Sequence, residues 1–377
     1  MVIHSMSEAW NYTLGIEEEF QVVDLDTMVL KPVPKKTLRE GLKQFHEHLH
    51  REMNLSTVEL ASEILDDIQH ASRSVRDGRL GLANFLKDHG LGIASAGTHP
   101  FSDWRKQGVV NDTRHSQLLQ KFRHAIRSSI IFGLHVHVAI PDREVGLAIA
   151  NSCYQFIPLL LALSANSPFY VKEDTGFASF RAELFLQIPR TGLPHHFDTV
   201  EDYDAFLATL VRAHSIDNAK NTYWDVRIHP TFPTIEFRIC DAQSHWRDTI
   251  GLAAIIQALV ASLHRDYDAG KELMPHRRRA LGEENRWRAS LDGIHGQMID
   301  FETMEPAETV DLLERLFTYI EPMVEKLGSE EEVEYIRNNV RQKKTGSDKQ
   351  VAVYDDFIDF KEVAKYVHAQ TNDDLAR

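Results

Sequence analysis

The stretch TLGIEEEF, residues 13–20, sets three glutamates in a row inside an otherwise apolar segment. Side chains of a β-strand alternate between its two faces, so Ile16, Glu18 and Phe20 point one way while Glu17, Glu19 and Gln21 point the other. Two carboxylates two residues apart on one face repel each other. Unless a positive group lies between them, one of the pair takes a raised pKa. Taken alone, the stretch reads as a solvated edge strand with a charged outer face, because glutamate is mostly exposed in folded proteins.

The arrangement recurs. GLHVHVAI (133–140) sets Leu134, Val136, Val138 and Ile140 against His135 and His137, and TIEFRICD (234–241) sets Ile235, Phe237 and Ile239 against Glu236 and Arg238. STVELAS (56–62) places Glu59 opposite Val58 and Leu60, and YWDVRIHP (223–230) sets Trp224, Val226 and Ile228 against Asp225, Arg227 and His229. Each segment has a plain structural reading: histidines bonded to backbone carbonyls, or Glu236 and Arg238 as a structural ion pair. Arg181, in GFASFRAELF, reads equally as a surface arginine. A surface kept only for solubility would use Lys, Ser and Thr. The recurrence of Glu, His and Arg on strands spread over more than 200 residues therefore points to a sheet with one apolar face and one concave functional face.

Many oxygen ligands with an imidazole suit Mg²⁺ or Mn²⁺, whereas zinc asks for more histidines or for thiolates. Such ions chiefly serve phosphate chemistry, with arginines neutralising charge on the transferred group. No Walker A sequence occurs, so a nucleotide would be held by side chains and metal.

The elements that must position these groups follow from periodicity. Strands are expected at 12–23, 130–140, 222–228 and 233–240, a strand running into a loop that stops at Pro100 over 90–101, and helices at 70–89, 115–129, 143–165, 200–213 and 248–265. Strands separated by long helical excursions, without a dinucleotide-binding glycine signature, indicate an α+β fold rather than a doubly wound sheet. One domain spanning 1–377 is expected, mostly helical from about residue 270.

The formal net charge of −14 argues against a nucleic-acid partner, which needs a basic face. Two cysteines, Cys153 and Cys240, sit far apart in apolar settings, so no disulfide framework is expected and a reducing cytoplasm fits. MVIHSMSEAWNY lacks the form of a signal peptide, and FIPLLLALSA (156–165) is too short to span a bilayer. A soluble cytoplasmic protein without a membrane partner is expected.

In this order, GIEEEF, TVELAS, AGTHPF, GLHVHV, FASFR, WDVRIHP and TIEFRICD resemble the bacterial type 2 glutamate–cysteine ligases, or carboxylate–amine ligases, from about residue 12 to GSDKQVAVY near 346–354. The resemblance implies a glutamine-synthetase-like fold, a curved and mainly antiparallel sheet around the active site with helices on its outer face. It implies that ATP phosphorylates the γ-carboxylate of glutamate and that an amine such as that of cysteine displaces phosphate. Carried over by motif, Glu17, Glu19, Glu59, His135 and Glu236 would hold Mg²⁺ or Mn²⁺, with Glu17 and Glu19 central to catalysis. Arg238 would meet the γ-phosphate of ATP, and Arg181 the α-carboxylate of the substrate. His137 and Arg227 would line the substrate site, Glu18 would face away, and a homodimer is expected. Two rival readings follow from the same residues: a hydrolase using His135 and His137 as a zinc pair, and a non-catalytic sensor of a nucleotide or amino acid.

Overall fold

The computed structural model describes residues 10–110, 113–271, 273 and 279–375. Seven antiparallel strands form the main sheet: β1 (Leu14–Asp24), β2 (Leu49–Arg51), β3 (Thr57–Ala61), β4 (Leu91–Ala94), β5 (Leu134–Ala139), β6 (Val226–Ile228) and β7 (Thr234–Phe237). The order across the sheet is β6-β7-β5-β1-β3-β2, and β4 pairs with the C-terminal end of β1. The long strand β1 thus pairs with β3, β4 and β5, and the remaining sheet strands extend outward from β3 and β5. The class is α+β, as the interleaving of strand and helix patterns predicts.

Alternation decides which face is dry. Leu14, Ile16, Phe20 and Val22 of β1, Leu134, Val136 and Val138 of β5, and Ile235 and Phe237 of β7 are at most 2% exposed. Most of them join one apolar cluster with helices Arg143–Ser152, Ile157–Ser164, Trp246–Asp268 and Thr309–Leu327. Burying each such Leu, Ile or Phe side chain stabilises the fold by roughly 1.5–3 kcal/mol. Helix Trp246–Asp268 is the one helix among the described residues that is itself long and apolar enough to cross a membrane, and 89% of its apolar window is buried inside the fold.

Glu18 lies on this dry face and is 3% exposed. Arg79, fully buried on helix Ile68–Lys87, meets it through Nη2 at 2.6 Å and Nε at 3.1 Å. The same guanidinium donates to the carbonyls of Gln243 and Ser244, and Thr249 Oγ1 donates to Glu18 at 2.8 Å. A charge taken out of water this completely needs such a set of partners. The pair pins one helix, the 243–244 turn and the start of a second helix to the centre of β1.

Three elements differ from the sequence reading, the first being the helix expected over 115–129, which is interrupted at Arg123, where φ is 51°. The helix expected over 143–165 breaks into Arg143–Ser152 and Ile157–Ser164, bent by 64°, because Pro158 occupies the first turn of the second piece. The strand expected over 222–228 splits at Asp225. Tyr223–Trp224 pairs in parallel with Thr191–Gly192, and only Val226–Ile228 joins the main sheet. The Asp225 carboxylate is buried 2.8 Å from Arg286 Nε, so it does not share the polar face with Arg227. Among the described residues beyond 278 come five α-helices and one short hairpin, and helix Phe360–Thr371 returns to the sheet, where Thr371 Oγ1 accepts from Ser95 N.

Candidate active site

Strand register assembles the polar face in three cross-strand rungs. The first runs Arg227–Glu236–His137–Gly15 across β6, β7, β5 and β1. The second pairs His135 with Glu17, and the third runs Glu19–Glu59–His50 across β1, β3 and β2. Gly15, Glu17 and Glu19 are spaced by two along β1, so all three rungs lie on one face.

Contacts tie the rungs together. His135 Nδ1 lies 3.0 Å from Glu17 Oε2, and His137 Nε2 lies 3.4 Å from Glu17 Oε1. Burial opposes ionisation of Glu17, yet its bonds to the two imidazoles outweigh that and hold its carboxyl far below the usual range. His135 is itself pushed down by burial and by Arg238. For Glu17 the hydrogen bonds of the two rings count for more than their charge, which acts in the same direction. Glu236 is 1% exposed and answers two cations, Arg227 Nε at 2.7 Å and Arg238 Nη1. Burial raises its pKa, but the two guanidiniums win and lower it. Glu19 Oε2 accepts from Gly133 N at 2.6 Å.

The repulsion expected between Glu17 and Glu19 falls on Glu59 instead. Its carboxyl is raised well above the ordinary value, first by burial and then by Glu17, Glu52 and Glu19. Three overlapping trios have ligand atoms within 4.8 Å of one another: Glu17, Glu59 and His135; Glu17, His137 and Glu236; Glu19, Glu52 and Glu59. Carboxylate oxygens dominate each, a donor set that fits a hard divalent cation. No trio contains both histidines.

Arg181, on the short helix Phe180–Phe185, is 3% exposed. Nη1 donates to the Ile239 carbonyl at 3.1 Å, Nη2 to the Arg238 carbonyl at 3.2 Å, and Asp241 lies 3.7 Å away. Its Nε is buried without a hydrogen-bond partner, as is Nε of Arg238. Gly133 makes room for this guanidinium, since a Cβ there would stand 2.3 Å from Arg181 Nη2. Glu17, Glu19, Glu59, His135, Arg181, Arg227 and Arg238 all line one cavity of about 490 Å³. His137 and Glu236 are not on its wall but touch Glu17, Arg227 and Arg238, which are.

Sequence reasoning missed two residues. Glu52 follows β2 and belongs to the third trio. Its signal is the alternation of His50 and Glu52, faint because β2 is three residues long. Arg79 has a clearer signal, a charge at a helical core position in the run Ile68, Ala71, Val75, Arg79, Leu82, Leu86.

The family model described as glutamate–cysteine ligase family 2 matches residues 13–365. A protein of Solibacter usitatus bearing a provisional glutamate–cysteine ligase 2 name is 37% identical over 360 residues, 95% of this chain and 93% of its own. A similarly named protein of Sorangium cellulosum is 39% identical over 347 residues, 91% of this chain and 92% of its own. Among solved structures, the glutamate–cysteine ligase of Francisella tularensis in complex with AMP superposes with a TM-score of 0.70 at 14% identity, covering 97% of this chain and 90% of its own. The bifunctional glutathione synthetase of Pasteurella multocida gives 0.74 at 16% identity, and this chain matches 52% of that longer protein.

Proposed function

This chain belongs to glutamate–cysteine ligase family 2, and from that premise we propose that its polar sheet face joins the γ-carboxylate of glutamate to an amine, cysteine being the acceptor that the family name specifies. The enzyme is an ATP-dependent ligase that forms a carbon–nitrogen bond. The observation that carries the reading is the three-rung register, which gathers the five expected ligands and Arg227 on one face, with Arg181 and Arg238 lining the same cavity.

Glu17, Glu19, Glu59, His135 and Glu236 would hold Mg²⁺, with Glu52 joining them through the trio it shares with Glu19 and Glu59. When bound, Mg²⁺ or Mn²⁺ supplies charge neutralisation for the phosphates of ATP. Arg238, fixed by Glu236, faces the transferred phosphoryl group and counters the charge that develops on it. Arg181 orients the substrate α-carboxylate with its unpartnered Nε and its remaining guanidinium hydrogens. Arg227 fixes Glu236 and, through the Thr222 carbonyl, the neighbouring loop, while His137 steadies Glu17. The absence of any described trio with both histidines gives the zinc hydrolase no support. A cytoplasmic setting, one catalytic domain over 1–377 and a homodimer remain part of the proposal.

ADP release from ATP, Mg²⁺ and glutamate, with cysteine present, tests the reading beside Glu17→Ala. The expected result is cysteine-dependent ADP, a γ-glutamylcysteine mass, and loss of both in the variant. Zinc at stoichiometry with no ADP from any acid and amine would overturn it.

A further inference from the structure

Beside the catalytic cavity lies a second one of about 610 Å³, which shares Leu118, Phe122 and Lys220 with it. Lys121, Arg190 and Lys220 bring three positive charges to its wall, against one acid, Asp217, and the amides of Asn218 and Asn221. This excess stands out in a chain of net charge −14.

Arg190 is built into place. Its backbone is left-handed at φ 66°, a conformation that costs a non-glycine residue about 1 kcal/mol or more. Tyr223 N donates to its carbonyl at 2.8 Å, its Nε donates to the Asn221 carbonyl at 3.0 Å, and its guanidinium lies 5.8 Å from the Phe122 ring centroid. Nη2 is buried with no hydrogen-bond partner, and among the described residues no carboxylate pairs with this guanidinium. Burial lowers its pKa, and the Tyr223 hydroxyl works against that shift. A partly buried cation without a counter-charge is favoured by a ligand that supplies the charge.

The cavity is also tied mechanically to the chemistry. Arg227, which bonds Glu236, donates to the carbonyls of Lys220 and Thr222, while Arg190 holds that of Asn221 between them. Segment 181–190 carries Arg181 at one end and Arg190 at the other, one guanidinium on each cavity.

We propose that this second cavity receives the amine substrate and that the amine bears a carboxylate, held by Arg190 with Lys220 beside it. The inference rests on the ligase reading above. In the joining step the amine nitrogen attacks the acyl phosphate carbon, the C–N bond forms and the C–O bond to phosphorus breaks. Phosphate leaves with the electron pair and takes up the amine proton. Arg190 and Lys220 touch no bond that changes, so they govern acceptor binding and choice.

The test compares amines that differ only in the carboxylate: L-cysteine with cysteamine, L-alanine with ethylamine, glycine with methylamine. Hydroxylamine, too small to need the second cavity, reports the acid-activating half through hydroxamate formation. The parent is expected to favour the carboxylate-bearing members at least tenfold in kcat/KM. Arg190→Met and Lys220→Met are each expected to raise the KM for those members about tenfold relative to the KM for hydroxylamine, and Arg190→Lys to recover part of the loss. Preference for the carboxylate-free amines, or an Arg190→Met variant that keeps the parent KM ratio, overturns the proposal. A parent that forms no hydroxamate fails earlier, at the ligase reading itself.

Discussion

Replacing Glu59 by Gln should change the sign of its effect when divalent cations are added. Glu59 sits in two of the three trios, so its carboxylate has Glu17, Glu19 and Glu52 oxygens within 4.8 Å. Like charges at that distance repel by about 3 kcal/mol per pair at an effective dielectric constant near 20. Burial and those carboxylates raise the Glu59 pKa, so proton uptake offsets part of that repulsion. A neutral amide of the same shape removes what is left, about 1–2 kcal/mol. Unfolding entropy of about 2.1 cal/mol/K per residue over 377 residues makes 1 kcal/mol worth about 1.3 °C in Tm. In EDTA, Glu59→Gln should therefore melt about 1–3 °C above the parent. With Mg²⁺ and a non-hydrolysable ATP analogue at a hundredfold excess over Kd, the parent gains about 2.7 kcal/mol, or about 3–4 °C, which the variant loses. Differential scanning calorimetry reads both arms. A variant that melts below the parent in EDTA, or that keeps the parent's full Mg²⁺–nucleotide shift, refutes the argument that this cluster is strained for the sake of a cation.

Three further outcomes follow from other parts of the fold. Arg79→Met leaves Glu18 buried with only Thr249 for a partner and should cost about 3–5 kcal/mol, a Tm lower by about 4–6 °C. The double variant with Glu18→Gln should melt above that single variant, and additive losses in urea unfolding would contradict the pairing. Gly133→Ala drives a methyl group to 2.3 Å from Arg181 Nη2, so KM for the acid substrate should rise at least tenfold, and an unchanged KM would remove Arg181 from that role. His99 is buried and neutral, its Nε2 2.9 Å from the Met28 carbonyl, and burial pushes its pKa down from 6.5 to about 4. Because the unfolded chain takes up the proton first, this stability is full above about pH 6.5 and is lost as pH falls toward 4, about 3 kcal/mol in all. His99→Gln should flatten the stability curve across that window, and a curve parallel to the parent's would show that other groups set it.

Much of the site was legible because β alternation is a local property: stereochemistry alone sends Glu17 and Glu19 to the face opposite Ile16 and Phe20, and His135 and His137 to the face opposite Val136. The helices around 70–89, 200–213 and 248–265 were legible for the same reason, each burying residues at helical spacing, as in Val200, Tyr203 and Leu207. Register was not legible. That Glu17 opposes His135, Glu19 opposes Glu59 and Glu236 stands between Arg227 and His137 depends on hydrogen bonds between separate strands, whose paired residues lie from 9 to 118 positions apart. Those pairings settle which charge each acid answers, so Glu17 is held ionised by imidazoles while Glu59 carries the repulsion.

The sequence by itself determined the chemistry of the polar face, the dryness of the opposite face and the family, since residue type and spacing suffice for each. Only the tertiary structure decided that Glu18 pairs with Arg79, that Glu52 joins the acidic cluster, that Asp225 turns to Arg286, and that Arg190 stands beside the site with Nη2 unpartnered among the described residues. Those outcomes turn on electrostatic partners brought from distant segments, and burial and Coulomb energy depend on distance in space rather than along the chain.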